Sequence, residues 1–380
     1  MEKKKIIQPL DIEDQCVGIY SANKFTFKEE DIKSTVQQNS LAWRHSPVFE
    51  NDEKYTYLSI FLKKQNLSQY SEDPTSMEAA TALLEAQKRA AITAKIDFSN
   101  ICFYEALPDH LMGKWFSLRD TAMHRVNSLV SRPSDYDILH KIHVLTTNIS
   151  KQGVNTGNQH KNIVYDIYNS ATGRLTTSKG SYPILSISKA ERHHLKPQND
   201  LFLEIDLNGA EIRTLLAFSG IPQPSEDIHL WNMKNLPPWL SRAEAKEQFF
   251  AWLYNPKAEN QLYEKSYNKK AYLEHYDGES IKTPFDRLLP VDERKALNYL
   301  LQSTTSDIVL NNAYEIMKKL RRAKSFVSFT MHDAVVLDFA KEDHKMVSEI
   351  KDIFETNMFG RFLSSVSIGK NFGEMKGIDI

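Results

Sequence analysis

Cysteine is nearly absent. Cys16 and Cys102 are the only two in 380 residues, and their spacing suits neither a disulfide framework nor a zinc site. Long apolar runs are missing too: no stretch approaches the roughly 18 residues that a membrane span requires, and the opening MEKKKIIQPLD carries no signal-peptide core. An intracellular, cytoplasmic protein with no membrane partner is expected. Nor does one sign of charge dominate, since 48 Lys and Arg face 49 Asp and Glu for a net charge of −1. Overall charge therefore does not announce a nucleic-acid binder, and any polymer-binding surface must come from local patches. What the chain does have is bulk. At 41% hydrophobic it can bury a large core and is expected to hold two or three subdomains.

Two distant stretches organise the rest. In Asp200 to Gly220, DLFLEIDLNGAEIRTLLAFSG, alternation at Leu201, Leu203 and Ile205 predicts a strand that delivers Asp206 at its end. From Ala210 the spacing of Ile212, Leu215 and Leu216 predicts a helix with Glu211 on its first turn and Gly220 as its stop. Alone, a strand ending in Asp before a helix ordinarily means a cap. In Ser325 to Phe339, SFVSFTMHDAVVLDF, two alternating runs flank His332-Asp333, which predicts a tight hairpin with a second carboxylate at a sheet edge. Carboxylates on separate strands can bridge two Mg²⁺ ions roughly 3.5–4 Å apart, activating a hydroxyl nucleophile and stabilising a leaving pyrophosphate. Mg²⁺ favours such a sparse set, completed by substrate phosphates.

Taken in order, residues 1–60 mix short β-like runs with charged loops. Asp11-Ile12-Glu13 has the Asp-x-Glu form of a nuclease metal motif but lacks further acidic partners, so a solvated strand end is the better reading. Helices are predicted at Ser76 to Ile96, Pro108 to Val130 and Tyr136 to Ile149, and Lys88, Arg89, Lys95, Lys114, Arg119 and Arg125 on them suit either a duplex backbone or an ordinary solvated face. The polar KQGVNTGNQHK of Lys151 to Lys161 is expected to be a linker. A β-like run then meets Thr172-Gly173-Arg174 and the hydroxyl residues Thr176, Thr177 and Ser178, natural phosphate or sugar contacts. Lys179, Lys189, Arg192, His193, His194 and Lys196 extend the basic character; the adjacent histidines lack a third ligand and read as a surface patch rather than zinc.

The most informative helix is predicted at Ser241 to Tyr254, SRAEAKEQFFAWLY. Ser241 and Glu244 form a capping box, and Asn255-Pro256 ends it. Arg242, Lys246, Phe250 and Tyr254 recur every four residues and form a row along one face, roughly 18 Å long. Two cations at the positive helix terminus suit a polyphosphate, and two rings further along suit a sugar and a base. A core role accounts for the rings but leaves the cations in line with them unexplained. Along a later helix, Val291 to Leu320, Arg294, Asn298 and Gln302 also repeat at four, and such groups can test base-pair geometry in the minor groove without reading sequence.

These motifs, in this order, resemble the family-A (polymerase I-like) DNA polymerases, most closely the phage replicative branch. The match runs through Thr172 to Arg174; Asp206, Glu211 and Arg213; Asp227 to His229; the Arg242–Lys246–Phe250–Tyr254 row; Arg294, Asn298 and Gln302; and His332-Asp333, with ALNYLLQS from Ala296 looking especially phage-like. The resemblance implies an α+β right-hand fold. Residues 1–160 would include a helical thumb, 161–226 and 294–380 the palm, and 227–293 the fingers. It implies template-directed addition of deoxynucleotides to a primer 3′-hydroxyl, in viral or phage replication. Asp206 and Asp333 would be catalytic and hold two Mg²⁺ ions, for which Mn²⁺ can substitute. Glu211, His229, Arg242, Lys246, Phe250 and Tyr254 would bind the dNTP; Arg174, Thr176, Arg294, Asn298, Gln302 and His332 would contact primer-template DNA.

Glu211 is similar to the family residue that, with the ring at Phe250, blocks a ribose 2′-hydroxyl, which disfavours an RNA polymerase or primase. Phe rather than Tyr at 250 resembles members that discriminate against dideoxynucleotides. Some positions depart from the pattern: Ala251 and Asn255 stand where Gly is usual, and Ala334 where many members carry Glu. A degenerate polymerase fold kept as a DNA-binding replisome component is therefore the competing expectation. No linked proofreading domain is evident, so a separate exonuclease, a helicase or a processivity factor is an expected partner.

Overall fold

The computed structural model describes residues 67–96, 107–129, 134–157, 159–234, 239–255 and 257–379, with short strands at 6–9, 19–21, 24–26 and 42–45. Asp11-Ile12-Glu13, the β-like run from Tyr55 and the prolines at 237 and 238 lie outside the described residues. The chain divides into two compact units, Met1–Tyr136 and Asp137–Ile380.

In the first unit, β1 (Ile6–Pro9), β2 (Ile19–Ser21), β3 (Lys24–Thr26) and β4 (Ala42–His45) form a sheet in the order β3-β2-β1-β4, with β1 and β4 parallel. Helix α1 (Pro74–Thr93) starts two residues before the sequence expectation. Asp73 caps it by accepting from the Ser76 amide at 2.9 Å, and Pro74 occupies the first turn, where its missing N–H costs nothing. Ala80 and Leu84 of α1 pack on Leu111, Met112 and Trp115 of α2 (Asp109–Leu129), and Met77 is buried as well.

The second unit is α+β. Helix α3 (Tyr136–Gln152) runs into the stretch expected as a linker, which instead folds: Gly153 turns the chain in the left-handed region (φ +59°), and β5 (Val154–Asn155) pairs with β6 (His160–Lys161). Val154 is buried, and a Cβ at residue 153 would lie 2.4 Å from the His160 ring. Composition marked a polar segment correctly but missed the buried valine, the left-handed glycine and the bridge from Asn155 to Lys196 that help fold it. β7 (Tyr165–Asp166) then pairs with β8 (Thr176–Thr177), holding the Thr172–Arg174 turn between them.

The central sheet is built from β9 (Leu201–Leu207) and strands that arrive much later. After β9 come α4 (Ala210–Phe218), α5 (Ile228–Met233), α6 (Arg242–Tyr254), α7 (Gln261–Glu264), the ribbon β10 (Ser280–Lys282) with β11 (Leu288–Pro290), and the 27-residue α8 (Glu293–Lys319). β12 (Phe326–Met331) and β13 (Ala334–Phe339) form the expected hairpin. Where one helix was expected from Lys341 to Phe359, a 3₁₀ turn leads into α9 (Val347–Glu355). The small hairpin of β14 (Thr356–Asn357) and β15 (Gly360–Arg361) follows, because Asn312 from α8 donates to the Phe354 and Thr356 carbonyls and ends the helix there. β16 (Ser364–Gly369) and β17 (Lys376–Ile378) complete an antiparallel sheet in the order β12-β13-β9-β16-β17.

Two cores divide the work in this unit. One joins the sheet residues Ile205, Leu207, Phe329 and Val335 to Ile308, Val309 and Ile316 of α8 and to Ile142 and Leu145 of α3. The other joins Ala245, Phe249, Trp252 and Leu253 of α6 to Ile212, Leu215 and Leu216 of α4 and Leu301 of α8. Burying that face of α6 leaves its Arg242–Lys246–Phe250 face turned elsewhere. Among the described residues no helix is long and apolar enough to cross a membrane.

Candidate active site

Register places the two carboxylates. β9 is a central strand, and Asp206 pairs with Ala334 on one side and Ser365 on the other. Asp333 is the residue just before Ala334, in a two-residue turn whose His332 is left-handed (φ +54°). The Leu207 amide donates to the Asp333 carbonyl at 3.2 Å, so backbone bonding carries both acids to the same end of neighbouring strands. Glu204, two residues before Asp206, shares its strand face and accepts from Ser367 at 2.9 Å. Burial, then the charges of Asp333 and Glu204, push the Asp206 carboxyl up to about 7, with Lys246 pulling it back. Glu204 escaped the sequence reading; its i, i+2 spacing from Asp206 was the available signal.

The turn after Asp206 is as specific as the strand. Gly209 is left-handed (φ +59°), and a Cβ there would lie 2.4 Å from the Ile228 side chain. Asn208 accepts from the Ile228 amide at 2.8 Å and donates to Asp227 at 2.6 Å. Arg213, fully buried, donates to the carbonyls of Asn208, Pro224 and Glu226 at 2.8, 3.0 and 2.7 Å. It is thus a structural strut that ties the β9–α4 turn to the segment leading into α5. Nothing in the sequence distinguishes Asn208, because the contacts that give it a role come from residues some twenty positions away.

Asp227 caps α5 by accepting from the His229 and Leu230 amides, both at 2.9 Å, and it pairs with Arg242 at 2.7 Å. Burial opposes its charge, yet the bonds from Arg242, the Leu230 amide and Asn208 hold the carboxyl well below the usual carboxylate range. His229 is buried, and burial followed by the Arg242 charge pushes its imidazole down to about 4.

Helix α6 begins with the expected capping box. The Ser241 hydroxyl accepts from the Glu244 amide, and the Glu244 side chain accepts from the Ser241 amide at 2.8 Å. Its open face forms one wall of a cleft of about 980 Å³, whose lining includes Arg174, Thr176, Asp206, Glu211, His229, Arg242, Lys246, Phe250, His332 and Asp333. Phe250 stacks on Tyr254, centroids 6.0 Å apart and planes 10° from parallel. The Tyr254 hydroxyl and the Arg174 guanidinium both donate to Glu211, and Gln302 lies beside the same hydroxyl. Burial, then Glu211, raises the Tyr254 phenol above its ordinary value.

The helix α8 trio is less concentrated. Gln302 reaches the Tyr254–Glu211 group, but Arg294 is 85% exposed and pairs with Asp292, and neither it nor Asn298 lines the cleft. Behind the Thr172–Arg174 turn, Arg287 and Asp307 form a buried ion pair with contacts of 2.8–3.0 Å, and a Cβ at Gly173 would lie 3.0 Å from that guanidinium. This support for Arg174 was not visible in the sequence, since Arg287 and Asp307 are ordinary charged residues until folding buries them together.

The arrangement combines two strand-end carboxylates, a strip of cations and an aromatic pair about one polar cleft. Its donors fit a divalent ion that takes most of its ligands from water and substrate. Asp206 and Asp333 supply two carboxylates, one of them raised by burial and then by its acidic neighbours, whereas no group of three or more metal-ligating side chains gathers among the described residues. No protein-family model and no curated protein matches the sequence. Among solved structures, one similar chain is the POL domain of Pol1 from M. smegmatis in complex with DNA primer-template and dNTP. It is 13% identical over 84% of this chain and 70% of that one, with a TM-score of 0.47.

Proposed function

We propose that this chain is a DNA-directed DNA polymerase of the family-A type, adding deoxynucleotides to a primer 3′-hydroxyl and serving phage-like viral replication. The observation that carries the reading is the shared cleft, in which Asp206 and Asp333 meet His229, Arg242, Lys246 and Phe250 from elements far apart in sequence. In this reading the sheet with α8 is the palm, α5 to β11 the fingers, and the helices of the first unit the thumb.

Asp206 and Asp333 would hold two Mg²⁺ ions, with Mn²⁺ able to substitute, which when bound activate the primer hydroxyl and stabilise the leaving pyrophosphate. The protein's own groups do the positioning. Lys246 and Arg242 neutralise the triphosphate from the α6 face, where positioned cations stabilise charge on the transferring phosphate. His229, uncharged near neutral pH, donates a hydrogen bond beside them. Glu211, pinned by Arg174 and Tyr254, forms with Phe250 a wall against a ribose 2′-hydroxyl. Thr176, His332, Arg294, Asn298 and Gln302 are assigned to the primer-template.

Extension of a labelled primer-template with Mg²⁺ and dNTPs, with rNTPs in parallel, tests this. Extension by dNTPs that disappears in Asp333→Asn supports it. Tight DNA binding without extension under any divalent metal would replace it with the DNA-binding replisome component.

A further inference from the structure

Arg242 is in ligand-like contact with another part of the protein. Its guanidinium holds the Asp227 carboxylate, Nε at 3.3 Å and Nη2 at 2.7 Å, with half of the arginine side chain and about a quarter of the aspartate exposed on the cleft. A carboxylate and a phosphate compete for the same guanidinium face. Asp227 does not depend on that contact. It also accepts from the amides of His229 and Leu230 at 2.9 Å and from the Asn208 amide group at 2.6 Å, and Asn208 is itself held by Arg213. When Arg242 leaves, the carboxylate keeps three donors, so the exchange strands no unsatisfied charge.

We propose that Asp227 is an internal competitor for Arg242, a positioning residue that the nucleotide's polyphosphate must displace and that thereby sets nucleotide affinity. This rests on the assignment of Arg242 to the triphosphate. In the resting cleft Asp227 preorients the guanidinium at the wall where the phosphates arrive and keeps it from binding stray anions. Each incoming polyphosphate gives up part of its gain to break the pair, so affinity is lower than the cations alone would provide.

The test is the affinity of inorganic tripolyphosphate and of dATP, measured by calorimetry with Mg²⁺ on the whole chain, for wild type, Asp227→Ser, Arg242→Gln and the double variant. Serine keeps the cap on α5 and removes the charge. Asp227→Ser is expected to bind tripolyphosphate about fivefold more tightly, the scale of a partly exposed ion pair, and the gain is expected to vanish in the Arg242→Gln background. Unchanged or weaker binding in Asp227→Ser overturns the proposal, as does a gain that persists without Arg242, which would show only a general loss of negative charge. If the serine variant does not fold, Asp227→Asn carries the same expectations. Failure of the polymerase reading is separable: a wild type that extends no primer while the Arg242-dependent gain holds removes the reading and leaves the competitor.

Discussion

The two walls of the cleft are built by opposite means. On the sheet side, Asp206 and Asp333 are placed by backbone register in a central strand and a two-residue turn, and their side chains are left to repel each other. On the α6 side, the helix supplies only spacing, and the working groups are set by side-chain contacts: Arg242 on Asp227, Tyr254 and Arg174 on Glu211. The first wall resembles a fixed anvil, since moving either acid means breaking a β-ladder. The second is exchangeable, because its ion pairs are partly exposed and weak, and a substrate can replace them. Chemistry that needs fixed metal ligands and an adjustable substrate grip fits that division.

The comparison breaks first on the sheet side. Asp333→Asn or Asp206→Asn is expected to lower single-turnover extension by about 10³-fold or more while leaving the fold intact, as judged by denaturant unfolding. On the helix side, Lys246→Ala is expected to cost about 10²-fold, felt in both nucleotide affinity and rate. An equal loss from both walls would erase the distinction.

Backbone geometry supplies a third test. Gly209→Ala places a Cβ 2.4 Å from Ile228 in a left-handed turn, and should destabilise the chain by about 2 kcal/mol in denaturant titrations. Phe250→Tyr should change stability little and relax discrimination against dideoxynucleotides; an unchanged dideoxy-to-deoxy incorporation ratio would undo the assignment of α6.

The smallest expected effect is titration. His229 has its folded pKa lowered to about 4 from 6.5, so the unfolded chain takes up the proton first as pH falls. Its contribution is neutral to stability above pH 6.5 and becomes increasingly destabilising between 6.5 and 4. His229→Gln should therefore gain roughly 1–2 kcal/mol relative to wild type between pH 7 and pH 5, read from paired denaturation curves.

Periodicity alone determined the local pieces: the β9 alternation ending at Asp206, the His332-Asp333 turn, the α6 capping box and the four-residue spacing of Arg242, Lys246 and Phe250 are all properties of consecutive residues. That range is short enough for propensity and pattern to dominate. It failed where a segment's fate hung on residues far off in the chain, as at Val154, buried in the central core under the expected linker, and at the end of α9, held by Asn312. Tertiary structure alone decided that β9 sits between β13 and β16, that Asp333 adds its charge to Asp206, and that Asn208, Arg213 and Asp227 form one bonded group. It also decided that Arg287 is buried against Asp307 and that Arg294 is left outside the cleft. The physical reason is the same throughout. A charged or amide side chain has no preferred partner in the sequence, and its role is set by which distant groups folding brings within about 3 Å, once burial makes an unpaired polar group costly.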